Sequence, residues 1–381
     1  MGSVEPANAS AAAVRRRDSH AGPGRALAMS GVNVDRMQDL SRNEARSTSL
    51  GLPYYRAWTG PPPGRTLGRG PGRGDRTAPG RGGSDGAPRA RALRWAAMSA
   101  PTIDTFSSDV LTIEIDGHVA TLWLDRPEKR NAMGMPFWAD LPVAMAALGN
   151  APEVRAVVLA AKGPHFSVGL DLTAMADIAG GGQPSGDTKP SAAARAMRQR
   201  AEIVRLQASI TAVADCPVPV IAAVQGWCIG GGVDLIAACD IRLASAEAQF
   251  SVREAKIAIV ADVGSLQRLP AIIGKGHVAE LAYTGKDIDA ARAAAIGLVN
   301  HVSADPDAVL ADAREMAREI AANSPLAVQG TKAVLAAGET QSVAEGLDYV
   351  ATWNAAFLAS DDLVEAMTAF MEKRPGTYTG G

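Results

Sequence analysis

The sequence predicts an α/β body, preceded by a head without regular structure and followed by a helical tail. Three observations carry this reading. From Val110 onward, short strand-like runs alternate with longer helical periods. Two of those runs, 156–160 and 218–224, are almost wholly apolar, as strands buried on both faces are. From about Ala308 the period is helical nearly without interruption.

The head comes first. Residues 1–97 hold 16 Arg and no Lys against 7 acids, and 51–97 are dominated by Gly, Pro and Arg with no apolar period. Such a composition buries too little to offset its ordering entropy, so 1–97 is expected to be disordered. Its Arg-rich, acid-poor character fits a transit peptide or a nucleic-acid tail. The favoured reading is a translation start at Met98, where MSAPTIDTF opens the first regular pattern and the head is upstream sequence. The other 284 residues carry 22 basic and 33 acidic side chains, which argues against a folded domain built to bind nucleic acid. The expected division is a head 1–97, a core 98–305 and a helical region 306–381.

In the body, VLTIEID and VATLWLD alternate apolar and polar residues around Gly117–His118, which reads as a β-hairpin. A helix near 136–148, a buried strand at 156–160, a Gly-rich loop, a helix near 192–214 and a buried strand at 218–224 follow. In the tail, Ser360 can N-cap a last helix with Leu363, Val364, Met367 and Phe370 on one stripe, a face suited to packing on a neighbour. Cys216, Cys228 and Cys239 form no CxxC and have no paired His, so a reduced, cytoplasmic protein without a metal site is expected. The uncharged stretch 216–233 contains two Pro, one Gln and four Gly, so no membrane span is expected.

The chemistry concentrates between His165 and Pro270. In QGWCIGGGVDLIAACD (225–240) a strand enters a helix through three glycines, where backbone can approach a ligand and the first helical amides are unpaired donors. Neither GxGxxG nor GxxxxGK[ST] is present, so a nucleotide site is not indicated. Asp234 lies three residues after Gly231, placing an acid beside those donors. A second loop, GPHFSVGLDL (163–172), follows a buried strand and offers another amide, expected at Val168. Two such amides make an oxyanion hole for negative charge on a carbonyl oxygen.

The pairing of FSVGLDL with GWCIGGGVDLIAACDIR, preceded by LDRPEKRNAM (124–133), resembles the crotonase (enoyl-CoA hydratase/isomerase) family over about residues 105–374. The resemblance implies a crotonase-like spiral of repeated β-β-α units with a C-terminal helical oligomerisation region. It implies that the amides of Val168 and Gly231 grip the thioester oxygen of an acyl-CoA. It implies substrate contacts at Lys129, Arg130, Val168, Gly169, Leu170, Asp171, Leu172 and Gly231, with Lys373 and Arg374 reaching the nucleotide end from a neighbour. No cofactor is implied beyond the CoA of the substrate, and homotrimers or hexamers are.

Hydratases of the family resemble a pattern of Glu, Glu and Gly at the positions of Asp234, Glu254 and Asp262. The Asp, Glu, Asp found here resembles the dienoyl-CoA isomerase branch, as does SVAEGLDYVATWN (342–354); Lys256, where an acid is expected, departs from it. Shifting a 3,5-diene to a 2,4-diene removes a proton from C2 and delivers one to C6, too far apart for one carboxylate. Glu254 is the candidate at C2, Asp262 at C6, and Asp234 tunes the pair. Mutual repulsion and desolvation are expected to raise their pKa values.

Each acid has a structural alternative: Asp262 as N-cap of a helix near Gly264, Glu254 paired with Arg253 or Lys256, Asp234 paired with a buried Arg. Asp240 and Arg242 are expected to pair with each other, and His165 to pack the loop. Another crotonase activity such as hydration, or a non-catalytic or RNA-binding homologue using the basic head, are the competing functions.

Overall fold

The computed structural model describes residues 101–173 and 191–381; the head 1–97, and part of the loop ahead of the long helix, lie outside the described residues. The first strands, β1 (Leu111–Asp116) and β2 (Val119–Leu124), form the expected antiparallel hairpin in register Leu111↔Leu124 to Asp116↔Val119. Gly117 turns it at φ +59°, where a side chain is disfavoured. Helix α1 (Met135–Asn150), β3 (Ala156–Ala161), α2 (Ala192–Ala214) and β4 (Val220–Val224) follow, close to the expected bounds. The second strand starts two residues later than 218.

After β4 the chain alternates between two sheets. It passes through β5 (Trp227–Ile229), α3 (Gly231–Ala237), β6 (Ile241–Ser245) and β7 (Gln249–Ser251), then a single 3-10 turn at Glu254–Ile257. Helices α4 (Ser265–Ile273) and α5 (Lys275–Thr284), β8 (Ile288–Asp289), α6 (Ala290–Ala295) and β9 (His301–Ser303) complete the body. The larger sheet has order β1-β2-β3-β4-β6-β9, parallel except for β1; the smaller is β5-β7-β8. Units such as β4-β5-α3, each sending one strand to either sheet, are the expected spiral of β-β-α repeats.

The fully apolar strands are explained by burial on both faces. Along β3, Val157 and Leu159 join the core shared with α1 and α2, while Ala156, Val158 and Ala160 face a second core. That second core is closed by α7 (Pro306–Ala321), whose Val309, Ala313, Ala317 and Ala321 recur every fourth residue and, being mostly small, let the helix approach the sheet closely. The tail continues as α8 (Pro325–Gly338), α9 (Val343–Phe357) and α10 (Asp361–Glu372). Ser360 caps α10 by accepting from the Leu363 N–H at 3.2 Å, and the stripe Leu363, Val364, Met367 and Phe370 is exposed, Phe370 by 84%. No helix among the described residues is long and apolar enough to cross a membrane.

One expected pair does not form. The Asp240 carboxylate accepts from the Val220 N–H and from Lys332 Nζ, both at 2.7 Å, tying α8 to the start of β4. Arg242 instead donates to the carbonyls of Leu298 and Cys239 at 2.8 and 2.7 Å. Two residues apart at a helix-to-strand junction, the two side chains find separate partners.

Candidate active site

Three chain segments meet at the glycine corner. The loop 166–170 runs beside β5, with Ser167 N–H donating to Trp227 O at 2.9 Å and Ile229 N–H to Ser167 O at 3.0 Å. The loop 126–133 lies on its other side, where Met133 N–H donates to Gly169 O at 2.8 Å and Asp171 N–H to Met133 O at 3.1 Å. These two bonds bracket Leu170, whose own N–H has no partner among the described residues.

This corrects the expected donor. The Val168 N–H donates to Arg130 O at 3.2 Å and is spent within the backbone. Gly169 adopts φ +79°, and a Cβ there would lie 2.6 Å from Ile229 O and 3.2 Å from Gly231 N, so only glycine fits. The turn it makes carries the Leu170 amide to the corner, 4.0 Å from where a Gly231 Cβ would stand. The Gly231 N–H, first in α3, likewise has no intrahelical partner. The free pair is Leu170 and Gly231.

The three acids surround this corner. Asp234, on the first turn of α3, is 1% exposed; its Oδ1 accepts from the Ser265 N–H and its Oδ2 is buried without a partner. Burial first, then the neighbouring Glu254 and Asp262 charges, push its pKa up to about 7 against hydrogen bonding that lowers it. Asp234, rather than Asp262, therefore caps α4, and it does not pair with an arginine. Glu254 opens the 3-10 turn; its Oε1 lies against Gly230, where a Cβ would stand 3.2 Å away, and its Oε2 is buried without a partner among the described residues. Burial, then the Asp262 charge, raises its pKa. Arg253 pairs with Asp287, so neither expected cation neutralises Glu254. Asp262 is half-buried and also raised by burial; its carbonyl accepts from Gln207 Nε2 of α2 at 2.7 Å. Repulsion makes the cluster favour carrying fewer than three negative charges.

The remaining expected contacts divide. Asp171 is buried and bound to Arg126 at 3.0 Å, so it shapes the loop; Leu172 is 54% exposed. Lys129 and Arg130 are exposed on the 126–133 loop, as cations at a phosphate path must be. Lys373 is exposed, but Arg374 is held by Glu365 and Glu372, both at 2.6 Å, and is not free for a phosphate. His165 Nδ1 accepts from the Trp227 N–H at 3.3 Å, while burial and Arg130 lower its pKa, which fits loop packing. Among the described residues, no three His, Cys, Asp or Glu side chains converge as metal ligands.

Sequence reasoning missed Asn131. Buried at φ +54°, it accepts from the Arg126 N–H at 2.9 Å and donates to Lys162 O and His165 O at 2.9 and 2.8 Å, joining two site loops. Its signal was an Asn directly after the charged run Glu128–Arg130, a type that tolerates left-handed backbone.

Comparison with known proteins places the chain among acyl-CoA enzymes. The enoyl-CoA hydratase/isomerase family model matches residues 114–381. A protein of Arabidopsis thaliana named peroxisomal Δ(3,5)-Δ(2,4)-dienoyl-CoA isomerase is 42% identical over 274 residues, 72% of this chain and 97% of that one. A mitochondrial protein of that name from Mus musculus is 44% identical, over 68% of this chain and 77% of its own. The solved structure of a putative enoyl-CoA hydratase from Streptomyces coelicolor superposes with TM-score 0.65 at 32% identity, covering 76% of this chain and 99% of that one.

Proposed function

This chain belongs to the enoyl-CoA hydratase/isomerase family, and on that premise we propose that it converts 3,5-dienoyl-CoA to 2,4-dienoyl-CoA in fatty-acid β-oxidation. The observation that carries the reading is the Glu254 carboxylate set against Gly230 of the amide corner, with a second partly buried acid, Asp262, following it in the chain.

The thioester oxygen accepts from the Leu170 and Gly231 amides, which stabilise the negative charge that develops there. Glu254, as carboxylate, takes the C2 proton, and the electron pair spreads over C2 to C6 as a dienolate. Asp262, as acid, delivers a proton to C6; the double bonds then lie at C2 and C4. One C–H bond breaks and one forms, with no change of oxidation state. Raised pKa values suit this division, because one acid must hold a proton near neutral pH while another is ionised. Asp234, neutral for part of the time near pH 7, limits the charge Glu254 faces and fixes α3 to α4 through Ser265.

Lys129 and Arg130 are proposed to meet the CoA phosphates, and the exposed apolar face of α10 to pack on another copy in a trimer or hexamer. The test of function is direct. Purified protein given 3,5-dienoyl-CoA should generate the conjugated 2,4-dienoyl absorbance. Faster hydration of 2-enoyl-CoA than isomerisation of the diene would overturn the reading.

A further inference from the structure

Among the described residues no side chain hydrogen-bonds the Glu254 carboxylate: its Oε2 is buried without a partner and its Oε1 lies against Gly230. Its position must come from the main chain that carries it. That main chain is a four-residue turn, Glu254–Ile257, whose residues Ala255 to Ala258 are exposed and whose end, Ala258, has φ +60°. A short, exposed turn with left-handed backbone at its end is a poor platform unless something outside it fixes it.

The adjacent residue supplies that fixture. Arg253 sets its guanidinium carbon 5.6 Å from the centroid of the Trp227 ring, donates from Nε to Ser251 Oγ at 3.4 Å, and pairs with Asp287. Trp227 begins β5, the strand that leads through Gly230 into the Gly231 amide. Ser251 ends β7, pairs in register with Ile229, and donates to Gly285 O and Lys286 O at 3.1 Å each. One side chain therefore touches the strand that delivers the oxyanion amide, the strand that leads to the base, and the loop after α5. Lys256 reinforces the same loop: a Cβ on Gly285, at φ +57°, would stand 3.0 Å from its Cγ, so the lysine stem lies directly over that glycine.

Resting on the proposed reaction, we infer that Arg253 is a positioning residue for Glu254: it locks the turn bearing the base to β5, and so fixes the distance between base and oxyanion amides. The guanidinium suits this work, since its planar face stacks on an indole while its edge pairs with a carboxylate. Displacing a reacting group by about 1 Å can cost on the order of 100-fold in rate.

The test compares Arg253→Ala and Asp287→Asn with the wild type on 3,5-dienoyl-CoA, together with exchange of the C2 protons of a saturated acyl-CoA into deuterated water. That exchange needs only Glu254 and the two amides, so it reads the base whether or not the enzyme isomerises dienes. Arg253→Ala should lower kcat and the exchange rate together by about 10- to 100-fold with KM nearly unchanged. Asp287→Asn, a milder change that keeps the stack on Trp227, should lower both in the same direction by less. A wild type that exchanges but does not isomerise refutes the reaction and leaves the exchange ratio to judge Arg253. Exchange and kcat within about two-fold of wild type in Arg253→Ala, or a raised KM at unchanged kcat, would overturn the positioning role. If Arg253→Ala does not fold, unaltered kcat and exchange in Asp287→Asn would do the same.

Discussion

Gly169→Ala tests the placement of the second oxyanion donor at Leu170. The new Cβ would meet two backbone atoms, Ile229 O at 2.6 Å and Gly231 N at 3.2 Å, neither of which can swing aside as a flexible side chain would. It would also occupy φ +79°, a conformation costing an L-residue about 1–2 kcal/mol. The chain must open at the junction where both free amides sit, moving them apart by several tenths of an ångström or more. Misplacing one oxyanion donor typically costs about 100- to 1000-fold in kcat, so turnover followed by diene absorbance should fall at least about 100-fold. Thermal melting should report a stability loss of about 1–3 kcal/mol, too little to unfold the protein at room temperature. Val168→Ala is the companion variant. Its N–H stays on Arg130 O, so turnover should remain within a few-fold of wild type. A folded Gly169→Ala that turns over within about ten-fold of wild type would refute the placement.

Asp234 holds its proton more tightly in the folded protein, at about 7, than in the unfolded chain at 3.8. The stability this confers is complete below the unfolded value and is lost as pH rises through the folded one, at most about 4 kcal/mol in all. Asp234→Asn removes that titration, so the melting temperature of the variant minus that of wild type should grow between pH 5 and 8; a flat difference contradicts the assignment. Turnover of the wild type should decline on the acid side above the ordinary glutamate range, because burial raises the pKa of Glu254 and the base must be ionised; an acid limb at an unshifted value would count against Glu254. Asp240→Asn leaves Lys332, only 10% exposed, without its carboxylate and should cost about 1–3 kcal/mol in urea unfolding while sparing kcat; unchanged stability would show the bridge to be idle.

The large sheet was legible because burial writes itself into the sequence. Strands β3 and β4 are apolar at every position since each has core on both faces, and β1 carries Glu114 and Asp116 because it lies at the sheet edge. The small sheet was not legible: β5, β7 and β8 have three, three and two residues, too few to display a period. At the site, the three acids could be named from spacing and resemblance, yet the donor amide was placed at Val168, whose N–H the structure spends on Arg130 O. Amides two apart in an extended segment point the same way, and it is the left-handed turn at Gly169 that sends Val168 N–H to Arg130 O and Leu170 N–H to the corner. The cap of α4 escaped for a different reason: Asp234 reaches Ser265 across 31 residues, whereas local reasoning looks to the nearer Asp262. Arg242 and Asp240 likewise each have one partner far off in sequence, 56 and 92 residues away, set by packing.

The division of labour between Glu254 and Asp262 is tested most directly by following substrate protons in deuterated water. Asp262→Asn should slow formation of the 2,4-diene by about 100-fold or more while the C2 position still exchanges, because Glu254 and the amides of Leu170 and Gly231 remain to form and re-protonate the dienolate. Glu254→Gln should abolish both. Loss of C2 exchange in Asp262→Asn with its retention in Glu254→Gln would reverse the two roles, and full turnover in both variants would contradict the carboxylate relay altogether.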